Sequence, residues 1–127
     1  MPVRVRYDLR EFGVGDLVGQ PFDLALFEPV FARWRSGDLS EGCPGDESGA
    51  DVVRRVSAVL ESIADEHRGE TVLVVSHGGA MKLAVPSLAR GLGDCWTDAR
   101  ELANCAVVEL EADADGWRCL SWAGSTP

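Results

Sequence analysis

The run Thr71-Val72-Leu73-Val74-Val75-Ser76-His77-Gly78-Gly79, continued by Ala80-Met81-Lys82-Leu83-Ala84-Val85, decides how this chain is read. Its first half is apolar without alternation, which predicts a strand covered on both faces. Two glycines and a helix-forming segment follow. A strand, a Gly-rich turn and a helix place His77 at the carboxyl end of the strand, where open α/β sheets bind ligands. Glycines let backbone N–H groups approach a ligand, and a helix N-terminus favours an anion. The turn alone reads equally as a tight strand-to-helix connection with His77 as its polar edge.

Upstream, Ser48 to His67 predicts a helix. Ser48 and Asp51 are spaced as in a capping box. Val52, Val56, Val59, Leu60 and Ile63 form an apolar stripe, with Arg54, Arg55, Glu61 and Asp65 largely outside it, and Gly69 supplies the stop. A helix followed by a continuous apolar strand is the α-then-β unit of a parallel sheet. His67 falls in the last helical turn, where it suits the dipole and reads as a surface residue. Ser36 to Gly49, rich in Gly, Ser, Asp and Glu, reads as an exposed loop.

Val3, Val5 and Tyr7 alternate with Arg4 and Arg6, predicting a strand with one buried face or an edge strand. Asp8 to Gln20 carries three glycines and no sustained period, so it is a loop, and a loop this long is usually functional. Glu11 stands in it; by itself a loop glutamate is a solvated charge. Pro21 to Arg35 places Leu24, Phe27, Phe31 and Trp34 on one helical face, with Pro29 predicting two short pieces. A helix from Ala80 to about Arg90 is kinked or ended at Pro86. Asp98 to Leu102 is short and ambiguous. Asn104 to Glu111 reads as a strand, and Trp117 to Trp122 closes a hairpin with Asp115-Gly116 at its tip.

The 127 residues form one domain, 1–127, large enough for a core. Apolar content of 46% and charged content of 26% are ordinary for a globular protein. A net charge of −9 argues against nucleic acid and against an anionic membrane surface as partners. It also sits awkwardly with phosphate binding, which needs local Arg or Lys. Cys43, Cys95, Cys105 and Cys119 form no C-x-x-C pair, and His67 and His77 complete no zinc pattern, so neither a metal nor a cofactor is expected. With no apolar leader at Met1–Tyr7 and no spanning stretch, a cytoplasmic protein with free thiols is expected.

Three segments then line up: Leu9-Arg10-Glu11 with Gly15-Asp16-Leu17-Val18-Gly19, Pro44-Gly45-Asp46-Glu47-Ser48 opening a helix, and Val74-Val75-Ser76-His77-Gly78-Gly79. In this order and spacing they resemble the histidine phosphatase superfamily, also called the phosphoglycerate mutase-like family, over roughly Tyr7 to Trp122. The resemblance implies an α/β fold: a three-layer sheet with helices on both faces, Thr71–Val75 central, and its N-terminal strands missing. It implies phosphoryl transfer through a phosphohistidine on a small phosphorylated substrate. His77 matches the second histidine, which steadies the transferring group, and Glu11 matches the proton donor. The Gly78 N–H and an imidazolium would donate to the equatorial oxygens, and a carboxyl group gives the leaving alkoxide its proton.

The departures from the family pattern are as informative. No Arg-His-Gly, the family's nucleophile motif, occurs in the sequence, and the arginine preceding Leu-x-Glu has no counterpart. The positive half of the phosphate site is the missing half, which accounts for the acidic balance. Lys82, Arg10 and Arg54 do not match the lost positions. Gly79, where mutase branches tend to carry Asn, favours a phosphatase over a phosphomutase. Two expectations follow: the chain is the C-terminal part of such an enzyme, inactive alone, or it is a short inactive paralogue serving as a binding or assembly module. In either case unpaired strand edges leave room for a homodimer.

Overall fold

The computed structural model describes residues 2–19, 24–90, 92 and 102–124. Its elements in chain order are 3-10 turns at Tyr7–Leu9 and Gly15–Leu17, helices α1 (Leu24–Arg35), α2 (Gly49–Glu66) and α3 (Gly78–Leu88), and strands β1 (Ala89–Arg90), β2 (Val108–Asp113) and β3 (Gly116–Trp122). The class is α/β, and the three strands form one sheet in the order β1-β3-β2.

Helix α2 forms as its sequence dictates. Ser48 Oγ accepts the Asp51 N–H at 3.1 Å and Asp51 Oδ2 accepts the Ser48 N–H at 3.1 Å, a reciprocal capping box. Val52, Val56, Val59 and Leu60 are buried, each contributing about 1.5–3 kcal/mol relative to exposure. Val52, Val56 and Leu60 meet Val30 and Trp34 of α1, Cys43, and Ala80, Leu83 and Ala84 of α3 in one core. A second cluster joins Val85, Ala89 and Leu92 to Cys119 and Trp122 of β3. Trp117 packs against both clusters, and its Nε1–H donates to Glu61 Oε1 at 2.8 Å, tying the hairpin to α2. No helix among the described residues is long and apolar enough to cross a membrane.

The hairpin β2–β3 is antiparallel, as expected, but Asp113↔Gly116 closes it, so its tip is Ala114-Asp115 and Gly116 opens β3, one residue earlier than the expected Asp115-Gly116 tip. Strand β2 begins at Val108, four residues after the expected start at Asn104, because Ala103 to Ala106 forms a turn with Cys105 at φ 65°. Helix α3 gives way to β1, which pairs in parallel with β3 at Trp117 and Arg118. Pro86 lies within α3 and Pro29 within α1, so α1 is one helix and not two pieces. Val30 and Trp34, buried beyond Pro29, supply the packing that holds α1 together across it. Pro21, Phe22 and Asp98 to Glu101 lie outside the described residues.

The largest difference concerns the segment read as the central strand. Thr71–Val75 joins no ladder, and Val72, Leu73 and Val75 are 41%, 79% and 78% exposed. Only Val74 packs against the core. Burial on two faces comes from flanking strands, and among the described residues none pairs with this segment. Val3 and Val5 likewise join no ladder and are exposed at 86% and 92%. Arg4 and Arg6 reach Glu66 at the end of α2 at 3.1 and 3.4 Å, so this N-terminal segment lies against that helix through charged side chains.

Candidate active site at the N-terminus of helix α3

His77 is the N-cap of α3, with extended backbone at φ −124° and ψ 151°, and its carbonyl accepts the Met81 N–H at 2.9 Å. Its side chain makes no cap bond and is exposed. An N-cap residue without a capping side chain leaves the first N–H groups of the helix open to another acceptor. Glu11 is that acceptor. Its Oε2 takes the Gly79 N–H at 2.9 Å and its Oε1 takes the Ala80 N–H at 2.6 Å and the Phe12 N–H at 3.0 Å. A carboxylate on the first turn of a helix also meets the positive end of the macrodipole.

Glu11 and His77, read from separate motifs, are thus at one helix terminus. Gly78 is there too. Among the described residues its N–H has no hydrogen-bond partner, and a Cβ at Gly78 would meet only Leu102 O at 3.7 Å. Gly79 is different: a Cβ there would fall 2.4 Å from Phe12 Cε1 and 2.7 Å from Glu11 Oε1. The second glycine is therefore what lets Glu11 reach the helix.

Phe12 fixes the other side of the loop. Its ring packs edge-on against Trp34 at 5.2 Å and Phe31 at 6.2 Å between centroids. Trp34 is itself buried, with Nε1–H donated to Glu41 O at 2.9 Å. Further along, the glycine motifs latch to each other. Gly15 N–H donates to Asp46 Oδ2 at 3.1 Å and Asp16 N–H to Pro44 O at 2.7 Å, with Gly15 at φ 53°. A Cβ at Gly13 would lie 2.0 Å from Asp46 Oδ2, so these glycines serve a close loop-to-loop approach.

The amphipathic reading passed over Arg55 and Glu47. Arg55 Nε and Nη2 donate to Glu47 Oε2 and Oε1 at 3.0 and 2.7 Å, and both side chains are largely buried. Glu47's hydrogen bonds, against opposing desolvation, raise the guanidinium's pKa above its ordinary value. The available signal was position: Arg55 adjoins the core residue Val56, and Glu47 sits just ahead of the cap Ser48. Arg54 pairs with Asp51 at 2.7 Å on the surface.

This α/β fold, with an acid and a histidine at one helix terminus, agrees with a family match: residues 1–124 match the histidine phosphatase superfamily (branch 1), and the chain belongs to that family. It is similar to proteins named "Probable phosphoglycerate mutase GpmB" from Escherichia coli O1:K1 / APEC and from Escherichia coli strain K12 / DH10B, at 31% identity over 123 residues in each case. The alignment covers 93% of this chain and 55% of the relative, so the chain spans about half the length of the curated relatives it matches. No solved structure matches it.

Proposed function

We propose that this chain carries the acid and phosphoryl-binding half of a phosphohistidine enzyme that hydrolyses small phosphomonoesters. The observation behind this reading is the convergence of Glu11 and His77 on a helix terminus rich in backbone donors. A phosphoryl group in transfer needs donors around its equatorial oxygens, and the Gly78 N–H and the exposed His77 ring supply them. Glu11 protonates the leaving alkoxide.

Hydrolysis is favoured over mutase chemistry by the space at Gly79, which admits no side chain while Glu11 and Phe12 hold their places. The name borne by the relatives favours the second reading, a phosphomutase acting on phosphoglycerate. The absence of Arg-His-Gly favours a third, an inactive binding or assembly module.

The test is to read the DNA upstream of Met1 for an in-frame strand ending in Arg-His-Gly, and to assay residues 1–127 beside any such longer form. Phosphomonoester hydrolysis and phosphoglycerate isomerisation are measured together. The 127-residue chain is expected to be inactive, because general acid catalysis contributes about 10²–10⁴-fold and cannot replace a missing nucleophile. Turnover confined to the longer form supports the proposal, and which substrate it consumes separates phosphatase from mutase. Equal turnover by the short chain, lost in His77→Ala, would give the nucleophile's work to His77 and overturn it. If the gene encodes no extension, the module reading leads.

A further inference from the structure

The loop that carries Glu11 is held by its main chain. Arg55 Nη1 donates to Asp8 O at 2.6 Å and to Arg10 O at 2.8 Å, and Arg55 Nη2 donates to Glu11 O at 3.2 Å. The one carbonyl left between them, Leu9 O, accepts Ser76 Oγ–H at 2.7 Å. Every carbonyl from Asp8 to Glu11 is therefore bound by a side chain from a distant part of the chain.

The guanidinium is used to capacity. Arginine has five N–H groups in a rigid fork. Three go to these carbonyls and two to Glu47, whose carboxylate fixes the fork from behind. Exposed ion pairs hold little, but the Arg55 and Glu47 side chains are only 10% and 15% exposed. Gripping the Arg10 and Glu11 carbonyls, with Phe12 packed in the aromatic cluster just beyond, fixes the Glu11 Cα from both sides. The side chain then reaches one place, the Gly79 and Ala80 amides.

We infer that Arg55, braced by Glu47, is the positioning residue that sets the Glu11 carboxylate at the N-terminus of α3, with Ser76 as the second hold. This builds on the reading of Glu11 as the acid, since misplacing a reacting group by about 1 Å can cost on the order of 10²-fold in rate. It also gives the serine before His77 a task separate from that of the histidine.

The test follows the Gly79 and Ala80 amide protons of the full chain by NMR. The reference is Glu11→Gln, which defines their positions without a carboxylate. Arg55→Lys keeps a charge beside Glu47, but an ammonium has three donors and cannot make five bonds. In Arg55→Lys both resonances are expected to move toward their Glu11→Gln positions, while those of the β2–β3 hairpin stay at wild-type values. Ser76→Ala removes the hold on Leu9 alone and moves them less, in the same direction; it decides the matter if Arg55→Lys is unstable. Wild-type Gly79 and Ala80 resonances in a folded Arg55→Lys, or in Ser76→Ala where that variant decides, overturn the inference. The readout needs no turnover, so a failure of the phosphoryl-transfer reading leaves it intact, and an active enzyme cannot rescue it.

Discussion

Glu11 Oε2 and the Gly79 amide meet at 2.9 Å although they are 68 positions apart in the chain. The helix that His77 opens is thus capped by an acid from another loop and not by its own N-cap side chain. Two of the donors that an anionic ligand would seek at this terminus, the Gly79 and Ala80 amides, are engaged by an anionic side chain, and among the described residues the Gly78 N–H is left open.

The two adjacent glycines are predicted to answer differently to one methyl group. Gly79→Ala pushes Phe12 and Glu11 from their places and should cost about 1–3 kcal/mol, as overpacking does. Gly78→Ala meets nothing closer than 3.7 Å and should be neutral, or stabilising by up to about 1 kcal/mol through helix propensity. Urea unfolding midpoints compare them, and coincident midpoints would contradict the packing described for Gly79.

Removing the partner of Arg55 leaves a largely buried guanidinium without its counter-charge. Glu47→Ala is expected to cost on the order of 3 kcal/mol, well above the change for the exposed pair variant Asp65→Ala. Chemical denaturation of both variants checks this. Equal, small losses would mean that the Arg55–Glu47 pair contributes no more than a surface contact.

Acid should weaken the start of α2. The Ser48 backbone N–H foremost, then Arg54 and the Ser48 side chain, hold the Asp51 pKa below the ordinary aspartate value. A depressed folded-state pKa means the contribution is complete above the unfolded value and is lost as pH falls through the folded one. Asp51→Asn should therefore flatten the acid limb of a stability-versus-pH curve relative to wild type. Superimposable acid limbs would remove Asp51 from the account.

Thiol reagents should separate the cysteines. Cys105 is exposed, whereas Cys43 is 2% exposed and its pKa is raised, first by burial and then by the Asp46 carboxylate. The thiolate is the reactive form, so Cys43 should label only under denaturing conditions while Cys105 labels in the folded chain. Mass mapping of alkylated peptides reads this directly, and early labelling of Cys43 would contradict its burial.

What the sequence made legible was whatever is decided locally or by period. The capping box at Ser48 and Asp51 and the stripe from Val52 to Leu60 depend on residues a few positions apart, and each is where its pattern places it; the hairpin turn is there too, one residue earlier than expected, at Ala114-Asp115. Thr71–Val75 is not, because a strand is made by its neighbours and the apolar run states only what it could bury. At Pro29 propensity yields to the packing of Val30 and Trp34, and α1 runs through it. Glu11 and His77 were legible only as members of motifs. The place of Arg55 beside Val56 signals its burial, but its hold on the loop is illegible because bonds to backbone carbonyls leave no mark on the residues that own those carbonyls.

That last point bears on how this loop can change over generations. A carbonyl is common to all amino acids, so a grip on main-chain oxygens does not inspect what the loop is made of. Exchanging the exposed Asp8, or Arg10 with its pairing to Asp8, leaves Arg55 and Ser76 the same oxygens to hold. The burden of heritable constraint shifts from the loop to the two residues that grasp it, and substitutions at 8 and 10 are free to retune what lies beside Glu11 without dislodging it.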